Sequence, residues 1–549
     1  MLIVLFSPES AAQFEKVFPS KNGEQSAFER TLAWAELLAQ NFAPSKIAVF
    51  CFSKNEAAVK SALGSKEVFC LSEENWNVSR LLEKMSALAK DSSEASIIFA
   101  NASAAFLDAP LSKALVRLHT EYKAEYTFAE GYPAGFAPEI LDSGAASIIC
   151  ALCEKIAGEQ GNAAVTKDAI FDVIKSDINS FEIETQIASH DYRLLRMNFL
   201  CDGHANFLSA KNLAKKLVEK NRADLLELDS QKIGEENVIA ISEIAKECDE
   251  VLKTVPAFYN VQVNCSCKVP PPFSPYADFF EKRYGEKVTS TQLRMPLEKF
   301  SSLAKKMKSF SQDAVVSLSL FGEAVLHPEI EFFVREIFQN GLTSFLEIDG
   351  AALKDFVESD SYKKILDFVP TENRKKIIFA ISLDSFSDEK FSALHGGANL
   401  QDAISAIKIL SSDFCETYAQ FTRTTQNEDE LENFFRAWSE KSSATGGKII
   451  IQKYDNFCAS LPSIKSADLA PVEREPCWHL RRDMEILFDG SVPLCREVCA
   501  FEDAEILGNV FESELEEIWQ KKNSVLREHI QKNYGVRCGK CDEYYIFNF

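Results

Sequence analysis

Between Val255 and Gln452, apolar strand runs and amphipathic helix patterns alternate at intervals of about 30 residues, the length of a strand–helix repeat. The strand runs are Val315–Leu320, Ser344–Ile348, Lys376–Leu383, Glu416–Thr422 and Lys448–Gln452. Helical spacing separates them over Pro328–Asn340, Lys354–Phe368, Leu400–Leu410 and Asp429–Lys441. The first of these helices has proline at its first turn and Gly341 past its end, the usual start and stop chemistry. Strands of this kind pair in parallel through right-handed crossovers and close, or partly close, into a barrel with its site at the C-terminal strand ends.

The first 200 residues alternate in the same way. Strands are expected over Leu2–Phe6, Lys46–Phe52, Glu67–Leu71, Ser96–Ala100 and Ala124–Phe128, with helices over Ser26–Gln40, Val78–Ala89 and Ser112–Glu121. That order implies a doubly wound, mostly parallel sheet. A connector over 201–254 reads as helical, with Ser209 as N-cap of Ser209–Lys220 and a second helix over Ile239–Leu252. Four segments result: 1–200, 201–254, 255–460 and 461–549, as expected for 549 residues.

A net charge of −22 argues against a nucleic-acid-binding surface, which needs a basic face. No run approaches the ~20 apolar residues of a membrane span. The apolar start Met1–Phe6 has no basic leader and reads as a strand rather than a signal segment. The 15 cysteines are therefore expected in the cytoplasm, reduced and available as ligands. Cys51, Cys70, Cys150, Cys153, Cys201, Cys248, Cys415 and Cys458 stand in apolar or helical contexts and read as small buried apolar residues. Cys477, Cys495 and the pair Cys538-x-x-Cys541 form a different set. One tight turn supplies two thiolates, and two isolated cysteines complete a four-sulfur site for Zn²⁺ or an iron–sulfur cluster. Asp489-Gly490 reads as a hairpin turn that puts Cys495 at the end of the second strand. Cys499, four residues after Cys495, reads as a bystander, with a substitute ligand as the alternative, and His479 as a surface residue or one that supports the ligands.

Three resemblances follow from these motifs. Pro476-Cys477, Met484–Cys495, Ile506–Val510, Leu515–Trp519 and Cys538-x-x-Cys541 resemble a SPASM domain, a module that follows radical S-adenosylmethionine (SAM) barrels and binds auxiliary 4Fe–4S clusters. The resemblance implies one fully ligated cluster on Cys477, Cys495, Cys538 and Cys541. Ser319–Pro328, Ile348-Asp349-Gly350 and Ser382–Ser385 resemble strand ends of the radical SAM superfamily. By that resemblance Gly322 and Glu323 sit where the family meets the methionine part of SAM. The family's Cys-x-x-x-Cys-x-x-Cys is not present: counting on from Cys265, the ligand positions fall on Val269 and Pro272, and counting back from Cys267 on Asn264 and Asn260. Ala324 also replaces the motif's proline. Phe106–Leu111 and Gly131–Phe136 resemble the nucleotidyltransferases that activate sugars, which implies a GT-A/Rossmann-like domain with Asp108 as its Mg²⁺ and nucleotide carboxylate. Asp177 echoes the second metal aspartate, but the glycine-rich loop is replaced by Ser7–Ala12, and Lys21 is the one lysine at hand.

Together the segments look like the spiro-SPASM family: a nucleotidyltransferase-like α/β domain, a partial TIM-like (β/α) barrel of radical SAM type and a small cysteine-rich domain. The expected function is a 4Fe–4S-binding SPASM protein that has lost reductive SAM cleavage, with a peptide or protein as partner. The alternatives are a divergent radical SAM enzyme acting on a peptide or protein, a sugar nucleotidyltransferase, and zinc in place of the cluster.

Overall fold

The computed structural model describes residues 1–21, 23–42, 45–155, 164–228, 235–268, 293–467, 469–499 and 504–546. The chain forms two compact units, Met1–Thr254 and Val255–Phe549, and is a mixed α/β protein built on parallel sheets.

In the first unit the strands are β1 (Leu2–Ser7), β2 (Lys46–Phe52), β3 (Phe69–Glu73), β4 (Ser96–Asn101), β5 (Tyr126–Glu130), β6 (Glu139–Asp142) and β7 (Ile183–Ile187). Their order is β3-β2-β1-β4-β6-β5-β7. β6 runs antiparallel to both neighbours, and the other pairings are parallel. Side chains alternate across a strand, so Leu2, Val4 and Phe6 enter one core with Phe50, Trp76 and Met85, while Ile3 and Leu5 enter the other with Phe28, Leu32 and Trp34. Both faces are covered, which is why β1 is apolar throughout. The helix Ala27–Asn41 starts where Ser26 and Glu29 form a reciprocal capping box.

The expectation for Ser209 is corrected. The helix there is His204–Glu219 with Gly203 as N-cap, and the Ser209 hydroxyl donates to the Val251 carbonyl at 2.7 Å. A serine inside a helix that finds such a long-range acceptor gives no start signal. The second connector helix divides into Glu236–Lys246 and Asp249–Leu252.

The second unit carries β8 (Phe258–Val261), β9 (Val315–Ser317), β10 (Thr343–Asp349), β11 (Ile377–Ser382), β12 (Thr417–Arg423), β13 (Ile449–Lys453) and β14 (Asp483–Ile486). All pairings are parallel, in the order β13-β12-β11-β10-β9-β8-β14. One face packs on the helices through Tyr259, Val261, Val316, Leu346, Ile348, Phe379, Ile381 and Phe421. The opposite face is apolar at the bottom, through Phe258, Phe345 and Ala380. It turns polar towards the strand ends, where Asn260, Ser317, Glu347, Ser382 and Gln452 line a cavity.

Two local expectations change here. Lys354–Phe368 is two helices, Gly350–Glu358 and Asp360–Phe368, because Ser359 caps the second through Tyr362 N. Asp489-Gly490 does turn the chain, with Gly490 at φ +84° and Gly490 N donating to Leu487 O. The flanking strands, however, do not pair as a ladder. β14 adds to β8, and β15 (Ser491–Pro493) pairs antiparallel with β16 (Ile506–Asn509). Asn509 and Phe511 stand within 2.5 Å of where a Cβ on Gly490 would lie. Among the described residues, no helix is long and apolar enough to cross a membrane.

Candidate functional site: a cysteine cavity beside the strand ends

The strand ends of the second unit enclose a cavity of about 260 Å³. Gly322 and Glu323 lie on its wall. Gly322 is required sterically, since a Cβ there would sit 2.0 Å from the Asn264 carbonyl oxygen. The segment is clamped to the end of β8: Glu323 N donates to Ser266 O at 2.7 Å, Asn264 Nδ2 to Glu323 O at 2.9 Å and Gln262 Nε2 to Phe321 O at 2.9 Å. Glu323 is buried, and its Oε2 accepts from Asp349 N at 3.2 Å. Its Oε1 is buried without a hydrogen-bond partner among the described residues. Burial first, then the charge of Asp349, pushes its carboxyl well above the usual range.

Beside it stand Asp349 and Asp384, from the two other segments singled out in the sequence, and His395, for which the sequence held no signal. His395 Nδ1 lies 2.9 Å from Asp349 Oδ2, and its Nε2 lies 2.9 Å from Leu383 O and 3.8 Å from Asp384 Oδ2. Burial opposes the imidazolium, but the hydrogen bond and charge of Asp349 outweigh it and raise the His395 pKa. Asp384 has a left-handed backbone, φ +57°, and burial raises its carboxyl to about 6. Strained residues collect where surrounding structure over-determines them. Cys265 is buried, its thiol pushed up to about 12 by burial, while Cys267 lines the cavity. Val269 and Pro272 lie outside the described residues.

A second cavity, about 30 Å³, opens beside the first, and His479, Arg496 and Glu543 line both. Cys477, Cys495, Cys538 and Cys541 all line it. Cys477 precedes the helix Trp478–Arg482 that leads into β14, and Cys495 follows β15. Cys538 and Cys541 flank a single turn. Burial raises the Cys477 thiol to about 12, puts Cys495 well above the ordinary value and also raises Cys538. The hydrogen bond from Cys458, followed by burial, raises Cys541.

Cys458 is the residue that the sequence reading misplaced. It is no core residue but the fifth cysteine of this cavity. Cys415 departs from that reading too, being exposed. Cys499 packs on Leu320, Phe321, Phe457 and Leu487, and its thiol donates to Cys495 O at 3.4 Å. His479 holds Asp483 Oδ2 at 2.6 Å.

The cavity lining fits an anionic, sulfur-rich group. Two buried N–H-bearing atoms on its wall, Arg474 Nε and His529 Nε2, have no hydrogen-bond partner among the described residues. His529 Nδ1 already accepts from Cys477 N at 3.4 Å, which leaves Nε2 as the protonated nitrogen. Burial, helped by the Arg474 charge, lowers its pKa to about 4 and keeps the ring neutral. Among the described residues, no three His, Cys, Asp or Glu side chains are gathered to hold a single metal ion. Sulfur ligands around one Zn²⁺ lie ~2.3 Å from it, whereas a cluster spreads its thiolates over four irons.

In the first unit, Asp108 is the N-cap of the helix Ala109–Tyr122, and its Oδ1 accepts from Leu111 N at 2.7 Å. It borders a cavity of about 20 Å³ with Arg30, Pro110 and Glu227. Lys21 is exposed and pairs with Glu227 at 2.9 Å. Asp177 is exposed and accepts from Ser180.

The site and sheet define an α/β protein with a C-terminal cluster-binding module: the family model SPASM, described as an iron-sulfur cluster-binding domain, matches residues 477–542. The chain belongs to the same family as an uncharacterized protein of Treponema pallidum (strain Nichols), to which it is 34% identical over 393 residues, 69% of this chain and 98% of that protein. Among solved structures it is similar to Streptococcus suis SuiB bound to S-adenosylmethionine, at TM-score 0.37 and 14% identity over 64% of this chain and 86% of that one. It is also similar to BtrN in complex with AdoMet and 2-DOIA, at TM-score 0.30 and 15% identity over 53% and 93%. A cytidylyltransferase from Leptospira borgpetersenii serovar Hardjo-bovis gives TM-score 0.33 and 11% identity over 46% and 95%.

Proposed function

We propose that the chain is an iron–sulfur protein that holds one 4Fe–4S cluster on Cys477, Cys495, Cys538 and Cys541, beside a strand-end cavity that binds a ligand without cleaving SAM reductively. The observation that carries this is the gathering of these four half-buried cysteines on the wall of one cavity, together with two nitrogen donors that have no partner among the described residues. A bound cluster supplies electron transfer or a structural tie. Cys477, Cys495, Cys538 and Cys541 would hold it, and the N–H groups of Arg474 Nε and His529 Nε2 would be available to its sulfurs. Such hydrogen bonds are one of the levers that set a cluster's potential.

The missing Cys-x-x-x-Cys-x-x-Cys supports the loss of SAM cleavage. The partner is a peptide or protein presented at the strand ends, and no nucleic acid is expected for a chain of charge −22. None of the fifteen cysteines forms a disulfide, in keeping with the cytoplasmic location we propose. The nucleotidyltransferase-like unit serves as a scaffold, since capping a helix accounts for Asp108.

The test is anaerobic reconstitution of the full chain. About four irons and four sulfides per chain are expected, and Cys538→Ser should lose them together with the visible absorbance. Tightly bound zinc without iron would sink the reading.

A second reading, a divergent radical SAM enzyme acting on a peptide or protein, is favoured by Glu323 Oε1, a buried acceptor on the cavity wall that suits an ammonium group. Its test is 5′-deoxyadenosine production under dithionite, lost in Cys265→Ala or Cys267→Ala; its absence supports the first reading.

A further inference from the structure

The fifth cysteine of the cavity lies outside the matched module. Cys458 is nineteen residues upstream of Cys477, beyond the N-terminal limit of the SPASM match. It nevertheless lines the same cavity, and its thiol is hydrogen-bonded to that of Cys541. The loop that delivers it is held from several sides. Phe457 N donates to Asp455 Oδ1 at 2.8 Å, Ala459 N to Asn456 Oδ1 at 3.1 Å and Leu461 N to Asn456 O at 3.1 Å. Phe457 is buried against Leu320, Phe321 and Leu487, and the Arg496 guanidinium lies over its ring. Phe457, Cys458 and Ala459 all have left-handed backbones, with φ of 48°, 54° and 69°. Three such residues in succession, none of them glycine, persist only where their surroundings fix them.

A cube of four irons takes four thiolates, one for each iron. Five cysteines line its cavity, and the Cys458 thiol is paired with that of Cys541. From this we propose that Cys458 is a second, interchangeable ligand for the iron otherwise bound by Cys541. The inference rests on the cluster reading given above. The exchange is balanced: one Fe–S bond to Cys541 breaks, one to Cys458 forms, and the Cys458 proton passes to the departing Cys541 thiolate. No electron enters or leaves. The hydrogen bond between the two thiols is the path for that proton. Among the four ligands, Cys541 is the one paired with the Cys458 thiol, so the substitution is assigned to Cys541.

The experiment compares the full-length wild type with Cys541→Ala, Cys458→Ala, the double variant and Cys538→Ala after anaerobic reconstitution with iron and sulfide. Iron and sulfide per chain are measured, together with the electron paramagnetic resonance of the dithionite-reduced samples. Cys541→Ala should retain at least two thirds of the wild-type iron with shifted g-values, and the double variant and Cys538→Ala should each fall below one third. The proposal is overturned if Cys541→Ala loads no better than the double variant, or if the double variant loads as well as Cys541→Ala. Far-ultraviolet circular dichroism reports folding. If Cys541→Ala does not fold, Cys541→Ser with and without Cys458 gives the same comparison. A wild type that takes up no cluster overturns both this inference and the reading beneath it, whereas a loaded wild type with an empty Cys541→Ala overturns this inference alone.

Discussion

Replacing Lys522 by Met tests how the C-terminal module is fastened to the parallel sheet. The Lys522 and Glu485 side chains are each 1% exposed, with Nζ 3.1 Å from Oε2. Nζ also donates to the Asp483 carbonyl at 2.7 Å and lies 5.2 Å from the centre of the Trp519 ring. Lys522 therefore ties the helical segment around Trp519 to β14. Methionine keeps most of the stem's volume and removes the charge. Glu485 is then a buried carboxylate without its cation, and Asp483 O loses a donor. Breaking a buried pair from one side costs about 3–5 kcal/mol. With an unfolding entropy of ~2.1 cal/mol/K per residue over the unit Val255–Phe549, the melting temperature of that unit should fall by about 5–8 °C.

Scanning calorimetry on the full chain reads this, with the transition of the first unit as internal reference. Lys522→Met/Glu485→Gln removes the stranded charge, so its cost should be less than the sum of the two single variants by about 1–3 kcal/mol. A drop of under about 2 °C for Lys522→Met, or strict additivity of the double variant, would refute the claim that this buried pair carries the junction.

Gly322→Ala forces a Cβ against the Asn264 carbonyl and should cost about 3 kcal/mol, read as a lower urea midpoint. Asp108→Ala removes a helix N-cap and should cost about 1 kcal/mol. On the proposed reading, calorimetry should detect no micromolar nucleoside triphosphate binding with Mg²⁺, in wild type or variant. Burial holds the Asp384 carboxyl near 6, above its value in an unfolded chain, with His395 3.8 Å away. A raised carboxyl stabilises the fold below pH about 4, where both states are protonated, and loses that contribution as pH rises to about 6. Asp384→Asn, which keeps the acceptor for Thr422 N, should flatten this slope by about 3 kcal/mol between pH 4 and 7; an unchanged slope in urea titrations would count against it.

Local chemistry made much of this molecule readable from the sequence. The strand runs of the first unit and the second lie within a few residues of β1, β2, β4, β10, β11, β12 and β13, because side-chain periodicity and burial on both faces act over short stretches. The capping box at Ser26 and the turn at Gly490 are equally local. The four cysteines announced themselves by spacing and by the Cys-x-x-Cys turn. What spacing does not encode is which distant segments meet. β14 pairs with β8 across some 225 residues. His395 meets Asp349 across 46 residues, and Cys458 meets Cys541 across more than 80. Nothing in the composition around Cys458 separates it from Cys499, which lies in an apolar cluster close by. Period, cap and turn are set by a residue and its near neighbours, and these the sequence determined alone. The filling of two neighbouring cavities with carboxylates, a histidine and a fifth thiol depends on which chain ends the parallel sheet brings together, and that was decided by the burial of its apolar face.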